Sequence, residues 1–269
     1  MSEWEESDDL ELEPEARRRR GIYLLPNLFT TGTLFAGFFA ALCAIEEQYT
    51  KAAIAVFIGM VCDMLDGRIA RLTNTQSDFG KEYDSLADMC CFGLAPALVM
   101  YQWSLHALTD FGRYGQQIAW AAAFFYAAMA ALRLARFNVL ATSGKGDKRF
   151  FYGLPSPAAA AFTMGFVWVA VEDFDYSGED LLIPALIVTL LAGTFMVWGR
   201  IRYPSFKDLK VNERVPFRYM LLMVIAFVLI VLDPVHVLPG LIFIYFLSGP
   251  AIAFTSWRKA RKAQQPVST

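Results

Sequence analysis

Histidine is nearly missing from this chain: 269 residues include only two, His106 and His236. The four cysteines, Cys43, Cys62, Cys90 and Cys91, all fall inside apolar stretches and show no paired-ligand spacing with histidine. That excludes a zinc site of the Cys/His kind and gives no disulfide framework; the thiols read as buried and free. Charge is scarce as well, at 19% of residues with a net charge of −2, so nothing suggests a nucleic-acid partner. Any cation binding or proton transfer must fall to carboxylates.

What the chain has in abundance is apolar length, with 56% hydrophobic residues. Stretches able to cross a bilayer, each needing about 20 residues as a helix, lie near 23–45, 51–71, 84–104, 116–137, 156–172, 181–199, 217–232 and 238–256. The fold expected is all-α, a polytopic integral membrane helical bundle of about eight transmembrane helices. Eight crossings put both termini on one side. On that scheme all but two of the 24 basic residues, Lys51 and Arg113, fall on the same side, which the positive-inside rule makes cytoplasmic. The segment from Glu172 to Asp180 on the other face is acidic, in agreement. The expected location is the plasma (inner) membrane.

The organisation expected is an acidic then Arg-rich cytoplasmic tail over 1–22, a membrane core of six spans over 23–200, a basic loop over 201–216, two further spans over 217–256 and a tail over 257–269. The start does not read as a signal peptide, because its leading region is acidic and the apolar stretch after it is long. The run Arg17 to Arg20 suits anionic headgroups or simply fixes orientation.

Four carboxylates interrupt the apolar pattern. Asp63 and Asp66 lie three apart, Asp84 and Asp88 four apart, and on helices both spacings share a face. A hairpin would bring the pairs together. An acidic residue at mid-bilayer costs roughly 2.5 to 3.5 kcal/mol on insertion scales, less near the interface, so four together call for a cation. Oxygen-only ligands select a hard divalent ion, Mg2+ or Mn2+, and two such ions would let a pyrophosphate approach. Gly67 leaves room for a nucleotide, Arg71 offers a forked cation to phosphate, and Gly80 allows close backbone contact.

The run Asp63-x-x-Asp66-Gly67-x-x-Ala70-Arg71, eight residues, then Gly80-x-x-x-Asp84-x-x-x-Asp88 resembles the signature of the CDP-alcohol phosphotransferase family at every fixed position. Members cleave the pyrophosphate of a CDP-linked lipid or alcohol and join the phosphoryl group to a hydroxyl. The resemblance implies that Asp63, Asp66, Asp84 and Asp88 hold metal and that Asp88 is also the general base. It further implies that Asn27 and Ser77 touch the CDP moiety, and that the protein is a homodimer. Asn27 and Ser77 are also ordinary loop and helix-start residues.

The acceptor is a separate matter. Arg133 and Arg136 can share a helix face and hold an anion, with Asn138 beside them, so serine through its carboxylate and phosphorylated alcohols through their phosphate would both fit. The same arginines would also serve as positive-inside anchors. Arg133-x-x-Arg136-Phe137-Asn138, the segment from Phe151 to Pro157 and the opening Leu24 to Thr30 resemble the phosphatidylserine synthase branch of the family, implying CDP-diacylglycerol and serine as substrates. Glycerol 3-phosphate, inositol phosphate and choline are the rival acceptors. A divalent-cation transporter is the rival outside enzymology, against which Arg68 and Arg71 stand beside the acids. Intramembrane prenyltransferases also use Asp-rich motifs, but on distant helices.

Overall fold

In hydrocarbon, helices associate by close van der Waals contact, so small residues belong at their interfaces. The computed structural model describes residues 14–73, 75, 77–142, 150–174, 178–199, 201–204 and 217–263. The acidic residues before 14, the side chains of Arg17 to Arg20 and the basic loop over 205–216 lie outside what is described.

Nine α-helices follow in order: α1 (Pro14–Ile45), α2 (Tyr49–Leu72), α3 (Asp78–Asp88), α4 (Ala95–Trp103), α5 (Gly112–Thr142), α6 (Ser156–Phe174), α7 (Leu182–Val197), α8 (Phe217–Leu232) and α9 (Pro234–Ala263). A π-helical stretch, Met89–Leu94, joins α3 to α4, and a 3-10 segment, Leu105–Phe111, leads into α5. The architecture is helical, with one addition that hydrophobic length does not foretell. Two three-residue strands, β1 (Phe150–Tyr152) and β2 (Arg202–Pro204), pair antiparallel with Phe151 opposite Tyr203. They clip the α5–α6 connection to the segment after α7.

Three stretches are long and apolar enough to cross a membrane, Pro26–Ile45, Leu105–Leu140 and Pro234–Thr255; Leu182–Val197 and Met220–Leu232 are apolar but shorter. The last turns of α2 carry Asp63, Asp66, Arg68 and Arg71, which lowers its apolar character where the site is built. Along α8, Leu221, Leu222, Met223, Val224 and Ile225 are all exposed in succession. A helix apolar all round and bare of protein suits lipid, not water.

Alanines make the α1–α2 seam: Ala36, Ala40 and Ala44 pack with Ala52, Ala53 and Val56, and with Cys91 and Phe92 of the π stretch. Gly37 lies so close to that stretch that an added Cβ would stand 2.6 Å from the Cys91 Cα. A second cluster gathers Tyr126, Leu154, Met196, Tyr203 and Phe246, drawing α5, α7, β2 and α9 around the start of α6. The phenol of Tyr126 donates to the Phe92 carbonyl at 3.2 Å, a buried bond that serves the loosened backbone of the π stretch.

Candidate active site

The hairpin of α2 and α3 brings the two acid pairs together. The turn between them is held locally: Thr73 N donates to the Ile69 carbonyl at 2.9 Å, and the Thr73 and Thr75 hydroxyls meet at 2.7 Å. Ser77 then caps α3, its Oγ accepting from Gly80 N at 3.0 Å. One carboxylate oxygen from each of Asp63, Asp66 and Asp84 falls within 4.8 Å of the other two. Asp66 is buried, and its Oδ2 accepts from the buried Thr30 hydroxyl of α1 at 2.8 Å.

Asp88, one turn beyond Asp84, is an electrostatic neighbour of Asp63, Asp84 and Arg133. Its Oδ1 is buried with no hydrogen-bond partner among the described residues. Three converging carboxylates with an orphaned fourth oxygen beside them fit a divalent cation with hard oxygen ligands. Asp63, Asp66 and Asp84 would hold it, with Asp88 at its edge.

Asn27, Ser77 and Gly80 converge. A Cβ on Gly80 would lie 3.1 Å from the Ser77 Oγ and 3.6 Å from the Asn27 Oδ1, so these three sequence-distant residues share one small space. On α2 the guanidinium of Arg71 folds back toward Gly67, with Nη2 3.8 Å from where a Cβ at 67 would be. Ser77 therefore acts as a helix cap here, and its place beside Asn27 and Gly80 is compatible with a second use toward a nucleotide.

The three acceptor candidates on α5 diverge. Arg133 Nη1 donates to the buried Ser156 Oγ at 2.7 Å, and its Nε is buried without a partner among the described residues. Asn138 Nδ2 donates to Ser85 Oγ at 2.9 Å, next to Asp84. Arg136 instead lays its guanidinium against Gly199 after α7, Nη1 standing 2.9 Å from the position of a Cβ there. Spacing of three places the two arginines on neighbouring faces, but each long side chain reaches for a different neighbour, so the pair does not close on one anion.

Sequence spacing gave no sign of Thr30, Ser85 or Ser156. Thr30 and Ser156 stood inside the opening and Phe151–Pro157 motifs, yet their partners, Asp66 and Arg133, lie 36 and 23 residues away, and only the fold supplies those distances. The helix periodicity of Thr30 marks it merely as buried.

A match to the CDP-alcohol phosphatidyltransferase family spans residues 23–198. The chain is 37% identical over 224 residues to the CDP-diacylglycerol–serine O-phosphatidyltransferase of Helicobacter pylori, covering 83% of this chain and 90% of the relative. Proteins of the same name from Methanocaldococcus jannaschii (33% identical over 153 residues, 57% of this chain and 63% of the relative) and Saccharomyces cerevisiae (28% over 193 residues, 64% and 67%) are similar too. With its acid hairpin inside the matched region, the chain belongs to the CDP-alcohol phosphatidyltransferase family.

Proposed function

We infer that the protein is a CDP-diacylglycerol–serine O-phosphatidyltransferase, forming phosphatidylserine and CMP. The observation that carries the chemistry is the meeting of Asp63, Asp66 and Asp84 within 4.8 Å, a seat for the divalent ion a pyrophosphate requires. The choice of serine is carried by the relatives' shared name. We assign Mg2+ or Mn2+, two ions in the working site. Bound there, the metal neutralises the charge of the pyrophosphate and of departing CMP.

The chain's own residues divide the remaining work. Asn27, Gly67, Ser77 and Gly80 leave space and polar contacts for the CDP group, and Arg71 supplies a forked cation to its phosphates. Arg133 offers buried positive charge to the serine carboxylate, with Asn138 as a polar partner on the Asp84 side and Arg136 as an outer contribution. Asp88 accepts the proton of the serine hydroxyl. The serine oxygen then forms its bond to the phosphorus that carries diacylglycerol, while the bond from that phosphorus to the CMP oxygen breaks in line, with no covalent enzyme intermediate.

The same reading places eight spans in the plasma membrane, with a core over 23–200 and two added spans over 217–256, both termini and the acid cage cytoplasmic, and the working unit a homodimer. CDP-diacylglycerol then enters laterally from the bilayer and serine from the cytosol. Purified protein given CDP-diacylglycerol, Mg2+ or Mn2+ and labelled serine should yield labelled lipid and CMP in equal amounts. Release of CMP that depends on glycerol 3-phosphate, inositol phosphate or choline but not on serine would overturn the acceptor assignment.

A further inference from the structure

The last helix lies beyond residues 23–198 matched by the family, yet it is built into the acceptor side of the site. The connection that carries Ser156 is pinned by backbone bonds: Gly153 N donates to the Ile201 carbonyl at 2.9 Å and Leu154 N to the Phe195 carbonyl at 2.8 Å. Gly153 takes a left-handed φ of 86°, which lets the chain turn tightly against the end of α7. Ser156 is thereby fixed, and with it the Nη1 of Arg133 at 2.7 Å.

The same strand pair holds α9. Tyr203 of β2 is fully buried, its hydroxyl donates to the Phe246 carbonyl at 3.2 Å, and Gly249 gives its ring a place where any larger residue would collide. Phe246 stacks on Phe162 of α6 with ring centroids 4.3 Å apart. Tyr245, the neighbour of Phe246, packs its ring on Tyr203 at 5.4 Å and against the cluster that includes Leu154, Ala158 and Ala159 around the start of α6. Arg133 and Tyr245 are mutual electrostatic neighbours, and the other charged neighbour of Arg133 is Asp88. A guanidinium so enclosed has its Nε buried without a partner among the described residues, facing a volume that an anionic group would complete.

We propose that Tyr245 of α9 is a specificity-determining residue for the acceptor, its hydroxyl joining Arg133 and Ser156 in recognising the carboxylate of serine. A phenol can present its oxygen to a guanidinium and its proton to a second anion, so it adds a directed donor to the point where Arg133 supplies charge. Losing it should weaken acceptors that bear a carboxylate and spare those that do not. This rests on the serine-transfer reading above.

The test uses the full chain with CDP-diacylglycerol and Mn2+, comparing wild type with Tyr245→Phe, which keeps the ring contact with Tyr203. The expected result is a serine KM raised about tenfold, the loss of one hydrogen bond to a charged group, with the KM for CDP-diacylglycerol, the kcat and the melting temperature unchanged. The inhibition constant of L-serinamide, which lacks the carboxylate, should not move. An unchanged serine KM beside an active wild type overturns the inference alone. So does a parallel shift for serine and serinamide, or a variant that fails to fold, since each describes a packing role. A wild type that makes no lipid from serine overturns the parent reading as well.

Discussion

Thr30 and Asp66 show how one neutral side chain serves a site made of charges. Asp66 is the buried member of the three converging acids, and a carboxylate so placed keeps one orientation only if something holds its other oxygen. Thr30 does so at 2.8 Å from α1. Thr30→Val keeps the shape and removes the donor. Partners of this kind typically affect metal affinity by about 10- to 100-fold, so the Mg2+ concentration for half-maximal activity should rise by that order while activity at saturating metal is largely recovered. A titration of CMP release against Mg2+ decides it, and an unshifted curve would deny Thr30 that role. Asp88 sits differently, with an oxygen that no described residue engages. Asp88→Asn keeps the volume but cannot accept a proton, and loss of a general base costs about 10²- to 10⁴-fold in rate. The kcat should fall by that order with metal-dependent binding of CDP-diacylglycerol retained; full activity in this variant would remove Asp88 as the base.

Between α3 and α4 the chain departs from the α-helix just after its last acid, and two contacts hold the departure in place. The Tyr126 phenol serves the Phe92 carbonyl, and Gly37 lets α1 lie against the Cys91 backbone. Tyr126→Phe leaves that buried carbonyl short of a partner and should cost about 1–3 kcal/mol; Gly37→Ala forces a Cβ to 2.6 Å from backbone that cannot yield and should cost about the same through overpacking. Thermal unfolding in detergent reads both, and because Asp88 directly precedes the π stretch, both variants should also lose transfer activity beyond the fraction unfolded. The acid hairpin was legible in the sequence, since carboxylates at spacings of three and four advertise a shared helix face. The π stretch was not: Met89-Cys90-Cys91-Phe92-Gly93-Leu94 is an apolar run with no polar residue to mark a change of phase. The strand pair was hidden for a related reason, because Phe150–Tyr152 and Arg202–Pro204 are too short to alternate visibly and meet across 50 residues of chain. The divergence of Arg133 and Arg136 was out of reach too, being decided by Ser156 and Gly199 on other elements.

Across the whole molecule the polar contacts separate to two ends. At one are the acid cage, Ser156, Asn138 and Gly199; at the other Tyr49 meets the Gln102 carbonyl at 3.2 Å, Ser104 meets the Gly178 carbonyl at 2.6 Å, and His236 joins Asp173 and Asp233. His236 ties the end of α6 to the α8–α9 turn at that second end, and His106 follows α4 there, so neither histidine of the chain is near the cage. A bundle of apolar helices with polar groups gathered at opposite ends is the arrangement a bilayer imposes, and the basic residues lie mainly at the cage end, as cytoplasmic orientation demands. Orientation can be checked with an impermeant thiol reagent, because the native cysteines sit in apolar helices, with Cys43 and Cys91 fully buried. In intact cells Glu179→Cys should be labelled and Lys207→Cys should not, and in inverted membrane vesicles the order should reverse. If Lys207→Cys were labelled from outside, the cage would face away from cytosolic serine, and the orientation drawn from the basic residues would have to be turned over.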